Sequence, residues 1–202
     1  MSLFYTIAYW VGVKPWETAA TREAERISAM FDREESGRQS PYGPALDLGC
    51  GTGMHSVELA RRGWQVTGVE IVPKALRAAR ERVRQAGVEV QLVQGDVTAL
   101  RAADVGSGFR FVLDFGCFHG LKGAQRTAMG REVTAVTAPD ATMLMITWVP
   151  GRRGPLPRGA SRADIEAAFP EWKVINVDAL PVAALPGPLK NADPRCYRLR
   201  RD

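Results

Sequence analysis

The sequence is poor in the side chains that most often bind zinc or form disulfide frameworks. Its 202 residues include only three cysteines and two histidines. The cysteines, Cys50, Cys117 and Cys196, are odd in number and far apart, which is typical of a reducing compartment. No Cys-x-x-Cys or His-x-x-x-His pair occurs, so we expect no metal site.

Long hydrophobic runs are also missing near the start of the chain. The apolar stretch Leu3–Val13 is shorter than the about 20 residues that a helix needs to cross a bilayer. No Lys or Arg precedes it, as one would in a signal peptide. We therefore expect a cytoplasmic protein without a transmembrane segment.

Blocks of like charge are absent although the net charge is +5. The arginines are scattered through apparent helices, which disfavours nucleic acid as a partner. The composition, 46% hydrophobic and 24% charged, is ordinary for a globular protein. A small molecule is the partner that we expect, for a monomer or a homodimer.

Short apolar segments alternate with helical patterns from residue 45 onward. Gly63 and Gly87 mark the ends of two predicted helices, and Pro73 suits a first helical turn. We predict strands over residues 45–49, 64–72, 88–94, 109–116, 141–149, 172–180 and 195–201, and helices over 54–62, 73–86, 122–137 and 162–169.

This alternation predicts an α/β doubly wound, mostly parallel seven-stranded sheet. The last two strands leave no room for a helix between them, so we expect an antiparallel C-terminal end. Residues 1–40 contain two helical patterns, the second over Thr18–Phe31, and are predicted to form an N-terminal cap or lid. Residues 41–202 then form the ligand-binding domain.

The stretch "LDLGCGTG" places three glycines at the end of the first strand. Ligands of open α/β sheets bind at this edge. The spacing does not give the third glycine of a dinucleotide fingerprint, and no Gly-Lys-Ser/Thr follows as in a P-loop. Asp47 beside the turn would repel a pyrophosphate, so the pattern favours a cationic ligand.

This motif resembles the first motif of class I S-adenosylmethionine-dependent methyltransferases, and the strand and helix order over about residues 43–200 agrees. The resemblance implies a Rossmann-like fold, S-adenosylmethionine as cofactor, S-adenosylhomocysteine as product and no metal. Glu70, about 20 residues after Gly51, suits the ribose hydroxyls. Asp96 matches the acid that contacts adenine, and it could equally cap the segment that begins at Thr98. The cofactor set is Asp47, Gly49, Cys50, Gly51, Gly53, His55, Glu70, Ile71, Asp96, Val97, Phe115 and Gly116.

The stretch "LDFGCFHGL" closes the fourth strand and supplies two catalytic candidates. His119 could be a general base, or a loop residue that stacks or hydrogen-bonds. Asp114 could be an acid near the reacting centre, or a strand-end group bound to backbone. The resemblance implies that the Phe115 carbonyl binds the cofactor's amino group. His55, in the first helical turn after the glycines, is expected to touch the cofactor's carboxylate end or solvent.

No motif identifies the methyl acceptor. Methyl transfer from a sulfonium can be catalysed by proximity and orientation alone, which require no characteristic catalytic residues. The chain is similar to small-molecule methyltransferases of the thiopurine, tellurite-resistance and bacterial heterocycle or phenol types. Trp10, Trp16, Glu17, Arg152 and Arg153 are candidate lid and substrate residues. A nucleic-acid or protein methyltransferase and a cofactor-binding module without turnover remain alternatives.

Overall fold

The described part of the chain is built around one mixed sheet. The computed structural model describes residues 24–152, 157–180 and 192–202. Its strands, in chain order, are β1 Gly43–Leu48, β2 Trp64–Glu70, β3 Val90–Gln94, β4 Phe109–Phe115, β5 Thr137–Trp148, β6 Trp172–Ala179 and β7 Pro194–Arg201. Their order across the sheet is β3-β2-β1-β4-β5-β7-β6, which confirms the predicted fold class.

The direction of the strands also agrees with the sequence. β1 pairs in parallel with β2 and β4, β2 with β3, and β4 with β5. β7 pairs antiparallel with both β5 and β6, which confirms the antiparallel C-terminal end. The strand order reverses between β1 and β4. In sheets of this kind, the carboxyl ends of the strands beside such a switch form the ligand crevice.

Helices cover the sheet. In chain order they are α1 Ala24–Glu35, α2 Met54–Arg62, α3 Pro73–Ala86, α4 Ala124–Val136 and α5 Arg162–Ala168, with 3₁₀ turns at Arg101–Ala103 and Phe118–Gly120. Gly63 and Gly87 end α2 and α3 in the left-handed conformation, and Pro73 opens α3, as the sequence predicts. None of the helices in the described ranges is long and apolar enough to span a membrane.

Alternating strand residues separate two apolar cores. Val112 and Met143 belong to the core that also contains Met129 of α4. Their strand neighbours Leu113 and Leu144 belong to the core on the other face. Successive side chains of a strand point to opposite faces, so runs that are apolar at every position predict a sheet covered on both sides.

Helix α1 is fixed to the rest of the fold by ion pairs. Glu34, 2% exposed, binds Arg198 of β7 through both carboxylate oxygens. Arg62 of α2 donates to Asp32 (2.7 Å) and Glu35 (2.8 Å) of α1. These contacts place Phe31 of α1 over the β4 side chain of Phe111, with ring centroids 6.2 Å apart.

Several boundaries differ from the sequence expectation. The predicted helix over Thr18–Phe31 continues to Glu35, and its first residues lie outside the described ones. Helix α4 ends at Val136 and β5 begins at the next residue, four residues before the predicted start at Ala141. The division at residue 40 between cap and domain stays a prediction, because residues 1–23 are outside the described ranges.

Candidate functional site

A cavity lies at the carboxyl ends of β1 to β5, and we call it the strand-end cavity. Its wall includes the glycine turn after β1 and the loops after β2, β3 and β4. We call the side where Asp47, Glu70 and Asp96 lie the carboxylate half. The side where Phe115, His119 and Trp148 lie is the aromatic half.

Glu70 is held rigidly at the end of β2. Its Oε2 accepts a hydrogen bond from the Gly51 amide (3.0 Å) and its Oε1 accepts one from the Val72 amide (2.8 Å). Burial raises the pKa of Glu70, while these amides act in the opposite direction. A carboxylate oxygen accepts more than one hydrogen bond. Glu70 therefore orders the glycine turn and can still accept bonds from a diol.

Asp47 lies beneath the same turn and is 2% exposed. The Ser56 hydroxyl donates to its Oδ2 at 2.5 Å. Burial raises the pKa of Asp47, and the bond from Ser56 lowers it. A buried carboxylate with one hydroxyl partner still favours a positive charge nearby, because such a charge offsets its desolvation.

Asp96 follows β3 and is bound to its own loop. Its Oδ1 accepts from the Thr98 amide (2.9 Å) and the Thr98 hydroxyl (2.7 Å). The capping interaction expected from the sequence is therefore present, although the regular structure that follows is only the 3₁₀ turn Arg101–Ala103. Asp96 and Val97 also line the cavity, so capping does not prevent contact with a ligand.

Asp114 is fully buried and anchors the loop after β4. Its Oδ1 accepts from the Cys117 amide (2.7 Å) and its Oδ2 from the Phe118 amide (2.9 Å). Burial raises the pKa of Asp114 to about 7, against the effect of these bonds. Asp114 is not part of the cavity wall, so the geometry favours the backbone-bound role of the two that the sequence left open.

His119 lies in the cavity wall in a 3₁₀ turn. Its ring stacks on Trp148, with centroids 4.5 Å apart and an interplanar angle of 28°. Its Nδ1 accepts a hydrogen bond from the Trp148 amide at 3.4 Å. The neutral ring therefore carries its proton on Nε2 and acts there as a donor.

His55 occupies the first turn of α2 and also lines the cavity. Its ring lies 4.5 Å from the Phe115 ring and 6.3 Å from the Phe31 ring, measured between centroids. Glu58 Oε2 is 3.9 Å from its Nδ1. Two aromatic rings thus pack against this histidine, and the Glu58 carboxylate lies beyond hydrogen-bond distance of it.

The two halves of the cavity meet where Gly49 faces Cys117. Gly49 has φ 66° and a Cβ at this position would lie 3.0 Å from Cys117 Cβ and 3.1 Å from Cys117 Sγ. Burial raises the pKa of the thiols of Cys50 and Cys117 well above the usual range. Both thiols therefore stay protonated at neutral pH, which argues against a nucleophilic cysteine.

Most residues expected from the sequence share this cavity. The wall contains Asp47, Gly49, Cys50, Gly51, His55, Glu70, Ile71, Asp96, Val97, Phe115, Gly116 and His119. Gly53 does not line it; a Cβ there would lie 3.1 Å from Ala79 Cβ, so this glycine serves the packing of α2 on α3. Arg152 is exposed and outside the wall. Trp10, Trp16, Glu17 and Arg153 lie outside the described residues.

Several wall residues were missed by sequence reasoning. Ile146 and Trp148 are at the end of β5, and Leu121 follows the 3₁₀ turn after β4. No motif marks them, because apolar residues at the ends of strands have the same sequence pattern as residues of the hydrophobic core. The strand order could have found β5, since its carboxyl end lies beside that of β4.

Comparison with known proteins identifies the domain. A family model described as "Methyltransferase domain" matches residues 45–140. Residues 45–140 are a methyltransferase domain. The match begins in β1 and includes the glycine turn, Glu70, Asp96 and the loop after β4, so the family model and the cavity involve the same strand ends.

Curated relatives of this methyltransferase domain match short stretches. The ubiquinone biosynthesis O-methyltransferase of Xanthomonas axonopodis pv. citri is 38% identical over 73 residues, 36% of this chain and 30% of that protein. The ribosomal RNA small subunit methyltransferase C of Alcanivorax borkumensis is 42% identical over 55 residues, 27% of this chain and 17% of that protein. The chain thus spans less than a third of either relative.

The fold of the methyltransferase domain is shared with solved structures. The 1,6-didemethyltoxoflavin-N1-methyltransferase of Burkholderia thailandensis, solved with 1,6-didemethyltoxoflavin and S-adenosylhomocysteine, gives a TM-score of 0.73 at 19% identity. The alignment covers 98% of this chain and 85% of that one. At this identity, the likeness establishes the common sheet and helix arrangement.

Proposed function

We propose that the chain transfers the methyl group of S-adenosylmethionine to a small-molecule acceptor. The observation that carries this proposal is the carboxylate half of the strand-end cavity. Asp47, Glu70 and Asp96 come from three neighbouring strand ends, and each is already oriented by a hydrogen bond within the protein. S-adenosylmethionine matches this set, because it has a cationic sulfonium and ammonium and a ribose diol.

The residues present fit the cofactor. The glycine turn brings backbone without side chains to the cavity wall, and Gly49 and Gly51 have φ 66° and 56°. In the proposed complex, Glu70 accepts hydrogen bonds from the ribose hydroxyls, with Ile71 beside it. Asp96 and the Val97 amide bind the adenine, and the glycine-turn backbone with Asp47 and Cys50 surrounds the amino-acid end. The Phe115 carbonyl and Gly116 complete that end.

The aromatic half of the cavity supports a small aromatic or heterocyclic acceptor. Phe115, Leu121, Ile146 and Trp148 line this side. Planar rings stack favourably on such surfaces. When bound, the cofactor supplies an activated methyl group, and the protein's task is to orient the acceptor's lone pair and to exclude water. The curated relative named as a ubiquinone biosynthesis O-methyltransferase is consistent with a small-molecule acceptor.

The first test is a calorimetric titration of the full chain with S-adenosylmethionine. We expect binding, and we expect Glu70→Ala to weaken it about 100-fold, because a charged hydrogen-bond acceptor is lost and two amides lose their partner. Glu81→Ala is the matched control, since Glu81 is exposed on α3 and bonded to Arg84. Absence of binding in the wild-type protein would overturn the proposal.

The second test is a radiolabelled methyl-transfer screen over phenols, thiols, azaheterocycles and tellurite. Transfer to any of these supports the proposal and excludes a module without turnover. Transfer only to RNA, with an affinity that falls steeply with salt, would instead support a nucleic-acid methyltransferase. Binding without transfer to any of these acceptors would support the module.

A further inference from the structure

His55 is a buried histidine whose polar atoms are unsatisfied. The residue is 9% exposed, and among the residues that the structure describes neither ring nitrogen has a hydrogen-bond partner. Leaving a buried polar group unpaired destabilises the protein, because the group gives up its bonds to water without replacing them. A cavity-wall residue that carries such a cost is a candidate for contact with a ligand that supplies the missing bond.

The surroundings of His55 favour one arrangement of its proton. Glu58 Oε2 lies 3.9 Å from Nδ1, and Arg62 Nε lies 3.5 Å from the other carboxylate oxygen of Glu58. A carboxylate beside Nδ1 favours a proton on that nitrogen and leaves the lone pair on Nε2. At 3.9 Å the contact is electrostatic and not a hydrogen bond, and it acts in the same direction as the acidic residue that orients a histidine base.

The packing around the ring also suits a change of charge. Phe115 of β4 and Phe31 of α1 hold the ring between them, and neither carries a charge. Charged groups near the ring include Glu58 on its own helix, Arg62, which pairs with Glu58, and Asp47 of β1, which interacts with the ring electrostatically. Glu58 and Asp47 are both acidic.

His119 is arranged in the opposite way. Its Nδ1 accepts from the Trp148 amide, so its neutral ring carries the proton on Nε2. To accept a second proton, His119 would have to lose that hydrogen bond. The two histidines of the chain therefore differ in function, with one suited to donate a hydrogen bond and the other suited to accept a proton.

We propose that His55 is the general base for acceptors that are protonated when they bind, with Glu58 as its positioning residue. This inference rests on the proposed function. A lone pair of the acceptor atom forms the new bond to the methyl carbon as the sulfur–methyl bond breaks, and the sulfur keeps that electron pair. The proton of the acceptor goes to Nε2 of His55 and then to solvent. His119 donates a hydrogen bond to the acceptor.

The tautomers can be measured without any acceptor. The chain has two histidines, so a long-range ¹H–¹⁵N spectrum of the full protein contains two imidazole rings, and His119→Gln assigns them. We expect the Nε2–H tautomer for His119 and the Nδ1–H tautomer for His55. Glu58→Gln should reduce the Nδ1–H population of His55. An Nε2–H tautomer at His55 in the wild-type protein would overturn the proposal.

Kinetics with phenol and 4-nitrophenol test the proton transfer itself. At pH 8.5 phenol is largely protonated and 4-nitrophenol is largely ionised. We expect His55→Gln to lower kcat about 100-fold with phenol and less than 5-fold with 4-nitrophenol, because only phenol needs a base. His119→Gln should affect both substrates equally. Equal losses for both substrates in His55→Gln would overturn the proposal.

The cofactor titration separates this inference from the proposed function. His55→Gln should bind S-adenosylmethionine within 3-fold of the wild-type affinity, since its role is toward the acceptor. A loss of cofactor affinity above 10-fold in this variant would indicate that His55 contacts the cofactor's carboxylate end, and it would overturn the assignment of His55 as a base. No binding by the wild-type protein would instead refute the proposed function.

Discussion

The carboxylate and aromatic halves of the strand-end cavity are built differently. In the carboxylate half, each acid accepts a hydrogen bond from a neighbouring amide or hydroxyl, as Glu70 does from the Gly51 and Val72 amides. In the aromatic half, ring contacts predominate, as between His119 and Trp148. Its one buried acid, Asp114, binds the loop from outside the wall.

This difference matches two kinds of binding. Side chains that are already held by hydrogen bonds suit a ligand that never varies, because few of them have to be ordered when the ligand binds. Ring surfaces recognise shape and tolerate related ligands, because stacking has weak directional demands. Under the proposed function, the protein would thus combine a half that is specific for the cofactor with a half that adapts to the acceptor.

The largest expected effect is at the junction of the two halves. Gly49→Ala places a Cβ on a residue with φ 66° and 3.0 Å from Cys117 Cβ. We expect a loss of about 3 kcal/mol in the free energy of unfolding, from left-handed backbone strain and overpacking together. Gly87→Ala is the matched control, because Gly87 has φ 64° and open space around it. It should lose only about 1 kcal/mol in urea unfolding. Equal losses would show that the halves are not in tight contact.

Asp114→Asn tests whether the aromatic half depends on its buried acid. The Asn side chain keeps one acceptor for the two amides, so we expect a loss of about 2 kcal/mol at pH 5 in the free energy of unfolding. Burial raises the pKa of Asp114 from 3.8 to about 7, so the folded state binds the extra proton. The contribution of this bound proton to the free energy of unfolding is therefore fully present below pH 4, and it is lost as the pH rises to 7.

The difference between wild type and Asp114→Asn should shrink between pH 4 and pH 7, by at most about 1.4 kcal/mol per pH unit. Chemical denaturation at several pH values measures it. Asp140→Asn is the control, since Asp140 is exposed and pairs with Arg200, and it should change stability by less than about 0.5 kcal/mol. A constant difference across this pH range would mean that Asp114 is ionised throughout.

Ser56→Ala tests the hydrogen bonding of the carboxylate half. Without the hydroxyl, the pKa of Asp47 rises further, because the Ser56 hydroxyl bond is the largest of the effects that oppose burial. We expect S-adenosylmethionine to bind about 5-fold more weakly at pH 7, with a larger loss as the pH falls. Thr98→Ala is the comparison, since Asp96 keeps the Thr98 amide, and it should lose about 2-fold. Unchanged binding in Ser56→Ala would exclude Asp47 from the cofactor site.

Trp148→Leu should have the smallest effect of these substitutions, and it tests whether the two halves of the cavity have separate roles. It removes the ring stacked on His119 but keeps the backbone amide that donates to His119. We expect a loss of about 1 kcal/mol in stability, cofactor affinity within 2-fold and a raised KM for an aromatic acceptor. Calorimetry and steady-state kinetics separate these readouts. A matching loss of cofactor affinity would contradict separate roles for the two halves.

The carboxylate half was readable from the sequence because its residues follow strands at regular spacing. Asp47 and Glu70 lie at the carboxyl ends of two consecutive strands. Parallel strands bring their carboxyl ends to the same edge of the sheet. The parallel direction of the first five strands and the antiparallel end followed from the lengths of the connections. Local signals, such as Gly63 after α2, gave the helix ends.

The aromatic half could not be read in this way. Trp148 and Ile146 look like core residues of a strand, and only the sheet order places them beside Phe115. The direct passage from α4 into β5 was missed, because Thr137 to Asp140 carry no apolar alternation. The proton arrangement of His119 depends on a bond to the backbone of β5, which no side-chain pattern encodes.

Strand β7 has a consequence for the order of synthesis. It pairs with β5 through Ile146 and Cys196 and with β6 through Asp178 and Cys196, so it joins two strands made before it. Until residues 194–201 have left the ribosome, β5 has an open edge and β6 has no partner strand among those described. Exposed strand edges promote aggregation. Nascent chains stalled before residue 194 are therefore expected to need a chaperone, and release of the last strand completes the sheet.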